Sequence, residues 1–85
     1  MNKRKIYVEC FSKKELQTIK KLLIVLDKWN TTNYSKIFEK LFLMDKPTAL
    51  LKLEDEMFME VTTIKRYSKK LKELLIILRE CFFNY

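Results

Sequence analysis

The sequence has no glycine and no histidine, and it has one proline and two cysteines among 85 residues. Average usage would place about six glycines in a chain of this length. Their absence excludes glycine-rich phosphate loops and the tight hairpin turns that require glycine. We therefore expect no nucleotide-binding enzyme of the usual kinds.

The chain also lacks the residues that catalysis and metal binding usually require. Without histidine, no cysteine or serine can pair with imidazole, the commonest general base. The two thiols, Cys10 and Cys81, are too few for a four-ligand zinc site. The acidic residues 54–56 are consecutive, so on a helix their carboxylates would diverge by about 100° per residue. We predict that the protein is not an enzyme and takes no metal, cofactor or small-molecule substrate.

Long apolar runs are missing as well. The longest, residues 22–26 and 74–78, have five residues each, whereas a membrane-spanning helix needs about 20. Near the start, Glu9 interrupts the apolar residues that a secretory signal would require. We predict a cytoplasmic protein with both thiols free. Membrane-surface binding ranks below the alternatives because Glu73 and Glu80 interrupt the basic face of the last segment.

What the chain does contain is positive charge and apolar residues at helical spacing. Eighteen Lys and Arg against 11 Asp and Glu give a net charge of +7. The basic residues form two zones, one at the N-terminus and one at residues 65–72, separated by an acidic segment. Such zones suit an anionic partner such as a phosphate backbone, although lysine-rich helix faces are often simply solvated.

The first part of the chain predicts a strand and two helices. In residues 2–11, apolar Ile6, Val8 and Cys10 alternate with polar residues, which predicts a short strand unless the alternation is accidental and the segment is helical. Ser12 followed by Glu15 is a capping-box pattern that begins a helix over 12–29. Residues 30–33 are turn formers, and a second helix is predicted over 34–44.

The last segment, residues 47–85, predicts a long helix that starts near Pro47. Apolar residues recur every seven positions there, which suits packing against a partner or against the first two helices. This row is the predicted oligomer or partner interface: Leu50, Met57, Ile64, Leu71 and Leu78, continuing to Tyr85. The β-branched residues 61–63 favour a bend, so one helix and two helices both remain open. Because a core of 85 residues is thin, a homodimer is expected.

The order of basic arm, alternating strand, capped helix, polar turn and short helix resembles the ribbon-helix-helix DNA-binding family over residues 2–44. The resemblance implies a single mainly α domain with a strand that pairs across a homodimer and enters the major groove of double-stranded DNA. Matching positions imply these DNA contacts: Lys3, Arg4, Lys5, Tyr7 and Glu9 on the ribbon, and Thr31, Thr32 and Asn33 at a phosphate. A second basic patch comprises Lys65, Arg66, Lys69, Lys70 and Lys72.

Two points stay open at this stage. Counting from Ser12 as the family does would turn Tyr7, Glu9 and Phe11 inward, the reverse of the hydropathy pattern. An all-α helical bundle is the alternative fold.

The expected function is that of a small transcriptional regulator or a plasmid or phage DNA-processing factor. The alternative is a helical protein-interaction module, such as an inhibitor, immunity or assembly protein, that docks through its C-terminal amphipathic helix.

Overall fold

Helices make up the regular structure of the protein. The computed structural model describes residues 3–83, with side-chain surroundings for residues 3–81. Residue 2 of the predicted strand and residues 84 and 85 of the predicted last helix lie outside the described residues. The elements are a 3-10 helix at Lys3–Tyr7, α1 at Lys13–Asn30, α2 at Tyr34–Ile37, a π-helix at Phe38–Leu43, α3 at Leu50–Met57 and α4 at Val61–Phe83.

The predicted N-terminal strand is wrong, and with it the ribbon-helix-helix fold. Residues 3–83 contain no strand, so the mainly α class holds without the ribbon. In place of a ladder, the amides of Val8 and Glu9 both bond to the carbonyl of Lys5, at 2.9 and 3.0 Å. Local turns thus satisfy backbone groups that an unpaired strand would leave without partners.

The alternation of apolar and polar residues in 2–11 does not reflect a strand, because the buried side chains follow helical spacing. Val8 and Phe11, three residues apart, are each 6% exposed, and Tyr7 and Cys10 pack against the same core. Ile6, which the hydropathy pattern of the predicted strand would place inward, is 64% exposed. Glu9 is exposed and needs no buried partner.

The start and end of α1 follow the predicted signals. The Ser12 amide donates to the Glu15 carboxylate at 2.8 Å, and the Glu15 amide donates to the Ser12 hydroxyl at 3.1 Å, which confirms the capping box. At the other end Thr31 takes a left-handed conformation with φ 55°, and its amide bonds to the carbonyl of Asp27. With no glycine in the chain, a β-branched residue occupies this helix cap.

The helix predicted at 34–44 is present as α2 and the π-helix that continues it. This pair supplies the centre of the core, since Ile37, Phe38, Leu41 and Phe42 are all 1% exposed or less. The ring centroids of Phe38 and Phe42 lie 5.9 Å apart. At the start of α2, Tyr34 stacks on Tyr67 of α4 with a centroid distance of 4.5 Å.

The C-terminal segment forms two helices, and the first does not begin at Pro47. Residues 47–49 are outside any helix, α3 starts at Leu50, and its C-cap is Phe58 with φ 53°. The positive φ of Phe58 turns the chain, and α4 begins at Val61.

The heptad row is part of this chain's own core, which corrects its assignment as an interface. Ile64 and Leu71 are 0% and 1% exposed, and Met57 is 9% exposed. Leu50 and Leu78 pack against the same core. The centre of the row is buried because α4 packs on α2, on α3 and on the N-terminal segment, so Met57, Ile64 and Leu71 are not available to a partner.

Candidate nucleic-acid interface

The N-terminal residues predicted to contact DNA are used inside the protein. The Nε of Arg4 donates to the Ser68 hydroxyl of α4 at 3.2 Å. The Lys5 ammonium forms an ion pair with Asp45 in the loop before α3. The hydrogen bond and the charge of Lys5 lower the pKa of the Asp45 carboxyl. These contacts attach the 3-10 helix to α4 and to that loop.

Tyr7 does not face outward as a base-reading residue would. Its ring is half-buried and lies edge-on to Phe42, with centroids 6.4 Å apart. The ammonium of Lys72 lies 5.7 Å from the centroid of the same ring. Lys3 and Glu9 are exposed, but without a strand they do not form a ribbon with Tyr7. The predicted ribbon site is therefore not assembled.

The predicted phosphate site at residues 31–33 is filled by this chain's own carboxylate. One oxygen of Asp27 accepts from the Thr32 hydroxyl and from the Tyr34 amide, both at 2.7 Å. The other accepts from the Ser35 amide at 2.9 Å and from the Ser35 hydroxyl at 2.6 Å. The free amides at the start of α2 thus bind an anion, as helix N-termini do, but the anion is internal.

Asp27 is held in its charged form by this arrangement. Burial alone would raise its pKa, but the hydrogen bonds from Ser35, Thr32 and Tyr34 together lower it below the ordinary value of 3.8. Burial, together with the nearby charge of Asp27, raises the pKa of Tyr34. A phosphate could not replace the carboxylate without leaving Asp27 as a repelling charge beside it. Thr31 and Asn33 are exposed and do not bond to the Asp27 carboxylate.

The second basic patch is where the structure leaves cations exposed. Lys65, Arg66, Lys69 and Lys70 are all exposed. Among the described residues, none of these four forms an ion pair. Lys72 differs, because it is half-buried beside Tyr7. Within the part of the chain that the structure describes, the patch thus contains four cations without an ion pair. No acidic residue occurs between Val61 and Lys72.

The helical positions of these cations define one face of α4. Thr62, Lys65, Arg66 and Lys69 follow a spacing of three and four residues, which places them on one side. Ile64, Ser68 and Leu71 occupy the opposite side and are no more than 3% exposed. We call the exposed side, formed by Thr62, Lys65, Arg66 and Lys69, the basic face of α4.

The basic face is presented by a short helix, a three-residue turn and a long helix. Glu54 of α3 holds the turn, because its carbonyl accepts from the amides of Phe58 and Met59. Its carboxylate accepts from the Val61 amide at 3.1 Å, at the start of α4. α3 and α4 also pack on each other. Two packed helices joined by a short turn are the components of a helix-turn-helix unit.

Sequence reasoning missed Thr62 and the helix-turn-helix unit. The signals were weak, since Phe58 and Met59 look like continuing apolar residues and the turn contains no glycine. The acidic residues 54–56 were expected only to point in different directions on a helix, yet Glu54 ties the turn to α4.

Comparisons with known proteins add no family to this picture. No family model, no curated protein and no solved structure matches the chain. In residues 3–83, no helix is long and apolar enough to cross a membrane. The same residues contain no group of three or more side chains that could hold a metal ion.

Proposed function

We propose that this protein binds double-stranded DNA through the basic face of α4. The observation that carries the proposal is the exposure of Lys65, Arg66 and Lys69 on the second helix of a helix-turn-helix unit, with the opposite side of that helix fixed in the core. In such units the second helix lies in the major groove, and residues near its N-terminus reach the base edges.

The chemistry of this face divides into two roles. Lys65, Arg66 and Lys69 supply the charges that neutralise phosphates, which makes binding depend on salt. Arg66 is also able to form paired hydrogen bonds with guanine in the major groove. Thr62, one residue into α4, supplies a short hydroxyl and a methyl group close to the base edges.

The wider role we propose is that of a small cytoplasmic transcriptional regulator or an accessory factor in plasmid or phage DNA processing, without enzymatic activity. The net charge of +7 supports binding to a nucleic acid. The internal use of Arg4, Lys5 and Tyr7 favours α4 over the N-terminal segment as the proposed contact surface.

The experiment is fluorescence anisotropy on duplex DNA from the region upstream of the protein's own coding sequence. The wild type is titrated at low and physiological salt, with and without random competitor DNA. The test variant is Lys65→Ala/Lys69→Ala. The control variant is Lys14→Ala/Lys21→Ala, which removes the same charge from exposed positions of α1.

We expect sub-micromolar binding by the wild type that falls steeply with salt. In the test variant, the slope of log affinity against log salt concentration should decrease by about 2, one for each lost phosphate contact. The control variant should retain most of the wild-type slope. Equal losses in the two variants would mean that binding follows net charge alone, which would contradict the proposed face.

The second candidate function is a helical protein-interaction module. The heptad row that was expected to dock is buried, so it no longer supports this function. Support comes instead from α1, where Leu22, Val25 and Trp29 are 54%, 62% and 86% exposed. No DNA binding at low salt would favour this second candidate over the first.

A further inference from the structure

One side of α1 is apolar and exposed. Leu22, Val25, Leu26 and Trp29 are spaced by three and four residues and are 54%, 62%, 37% and 86% exposed. Ile19 and Leu23 form the adjacent side and are at most 1% exposed. The apolar surface of α1 is therefore wider than the strip that the rest of the chain covers.

The exposed side of α1 borders a groove. α2 packs on both α1 and α4. Between α1 and α4 lies a groove of about 410 Å³ with an apolar part formed by Leu26 from α1 and by Leu71 and Leu74 from α4. Ile77, three residues beyond Leu74 on α4, is 57% exposed. The rest of the lining is more polar and consists of Asn30, Thr32, Tyr34 and Lys70.

The charges around this groove are positive. Lys70 lines it, and Lys21 and Lys28 are exposed on α1 beside the apolar row. The two acids of α1 are engaged elsewhere, Glu15 in the capping box and Asp27 at the start of α2. Packing α1 against α1 of a second copy, antiparallel, would bring lysines together. The groove suits an apolar helix that carries carboxylates.

The chain itself has such a helix. Leu51 lies on the outer side of α3 and Phe58 directly follows this helix, and the two side chains are 73% and 94% exposed. Asp55, Glu56 and Glu60 are exposed carboxylates that form no ion pair among the described residues.

Phe58 is notable for its backbone as well as for its exposure. A bulky residue with φ 53° is conformationally unfavourable, and its side chain gains almost no burial in return. A second surface that buries this ring would supply the missing contact.

We propose that the outer side of α3 and its C-cap, formed by Leu51, Asp55 and Phe58, dock into the α1/α4 groove of a second copy. The contact joins two different surfaces, so each copy offers one groove and one α3, and assembly proceeds head to tail. The basic face of α4 is not part of it, so this proposal stands independently of DNA binding.

The test is the oligomeric state in the absence of DNA, measured by sedimentation velocity up to about 1 mM protein. The groove-side variants are Val25→Asp and Trp29→Ser, on the exposed side of α1 that borders the groove, and the α3-side variant is Phe58→Asp, directly after α3. Ile6→Asp is the matched control, because Ile6 is 64% exposed and lies on neither surface. Circular dichroism checks that each variant keeps its helices.

Wild type and Ile6→Asp should form dimers and larger species as concentration rises, less so at high salt. Each groove-side or α3-side variant alone should stay monomeric, because no intact groove can meet an intact α3. Mixed in equal amounts, Val25→Asp and Phe58→Asp should form a heterodimer and nothing larger, because one intact groove meets one intact α3.

Three results would overturn the proposal. The first is a wild type that stays monomeric over the whole range. The second is a dimer that Val25→Asp disrupts and Phe58→Asp does not, which would mean that two grooves face each other. The third is a monomeric protein whose Trp29 fluorescence responds to an acidic amphipathic peptide, which would assign the groove to another protein.

Discussion

The two longest helices, α1 and α4, have similar apolar periodicity but very different surroundings. In α4, Ile64, Leu71 and Leu75 are buried, and four other elements pack on this helix: α2, α3, the N-terminal 3-10 helix and the π-helix. In α1, Leu22, Val25 and Trp29 remain exposed. The difference shows that periodicity predicts a helix and its apolar side, whereas burial depends on how many neighbours the topology brings to that side.

The neighbours of each helix explain the difference in burial. α4 receives the N-terminal segment through Arg4, α2 through Tyr67 and α3 through the turn that Glu54 holds. α1 packs mainly on α2, and its polar link to that helix is Asp27. We therefore regard α4 as the central element and α1 as an outer helix with one side uncovered.

The sharpest test of this comparison truncates one leucine on each helix. Leu71→Ala in α4 should lower the free energy of unfolding by about 2–5 kcal/mol, since it leaves a cavity in the core. Leu22→Ala in α1 should change it by no more than about 0.5 kcal/mol. Urea denaturation followed by circular dichroism measures both.

The two leucines serve as each other's control, because the chemical change is the same. Similar losses in both variants would mean that α1 is covered in solution, either by this chain or by a second copy. Repeating Leu22→Ala at several protein concentrations separates those two cases.

A smaller effect is expected where α1 is fixed to α2. Asp27→Asn removes a charged acceptor from four hydrogen bonds, and at a half-buried site we expect a loss of about 1–2 kcal/mol at pH 7. Asp55→Asn, an exposed carboxylate outside this network, is the matched control and should show little change.

The stabilisation by Asp27 should depend on pH in a definite direction. Because the pKa of Asp27 is lowered by folding, its contribution is complete well above 3.8 and is lost as pH falls through the lower folded value. The difference in unfolding free energy between wild type and Asp27→Asn should therefore shrink below about pH 4. A difference that is unchanged there would contradict the assigned network.

The smallest effect concerns the start of α1. Ser12→Ala removes the hydroxyl that caps the Glu15 amide and should cost about 1 kcal/mol in unfolding free energy. Thr18→Ala, at an exposed position inside the same helix, is the control and should cost less. Thermal denaturation of both variants tests the ranking, and an equal cost would mean that the capping box does not stabilise α1.

Much of the helical framework was predictable because its signals are local. The capping box of Ser12 and Glu15 and the polar turn at residues 30–33 mark the ends of α1, and both signals depend on residues close in sequence. The N-terminal segment was not predictable in this way. Ten residues with an alternating pattern fit a strand equally well, and the contact that decides, Arg4 with Ser68, spans 64 positions.

The candidate site was predictable only in its composition. The basic residues 65–70 are visible in the sequence, but their common exposure and the burial of Lys72 beside Tyr7 depend on packing between distant elements. The phosphate site at residues 31–33 was predicted from helix-start residues. Asp27, four to six residues earlier, filled that site because the left-handed Thr31 turns α2 back towards it.

An amide chemical-shift titration with duplex DNA distinguishes α4 from α1 and from the N-terminal segment as the proposed DNA-contacting surface. We expect the shifts to concentrate at residues 60–70, around Thr62, Lys65, Arg66 and Lys69, while the amides of Leu22, Val25 and Trp29 stay unchanged. Shifts centred on residues 3–9 or on α1, with none at the start of α4, would contradict the proposed surface.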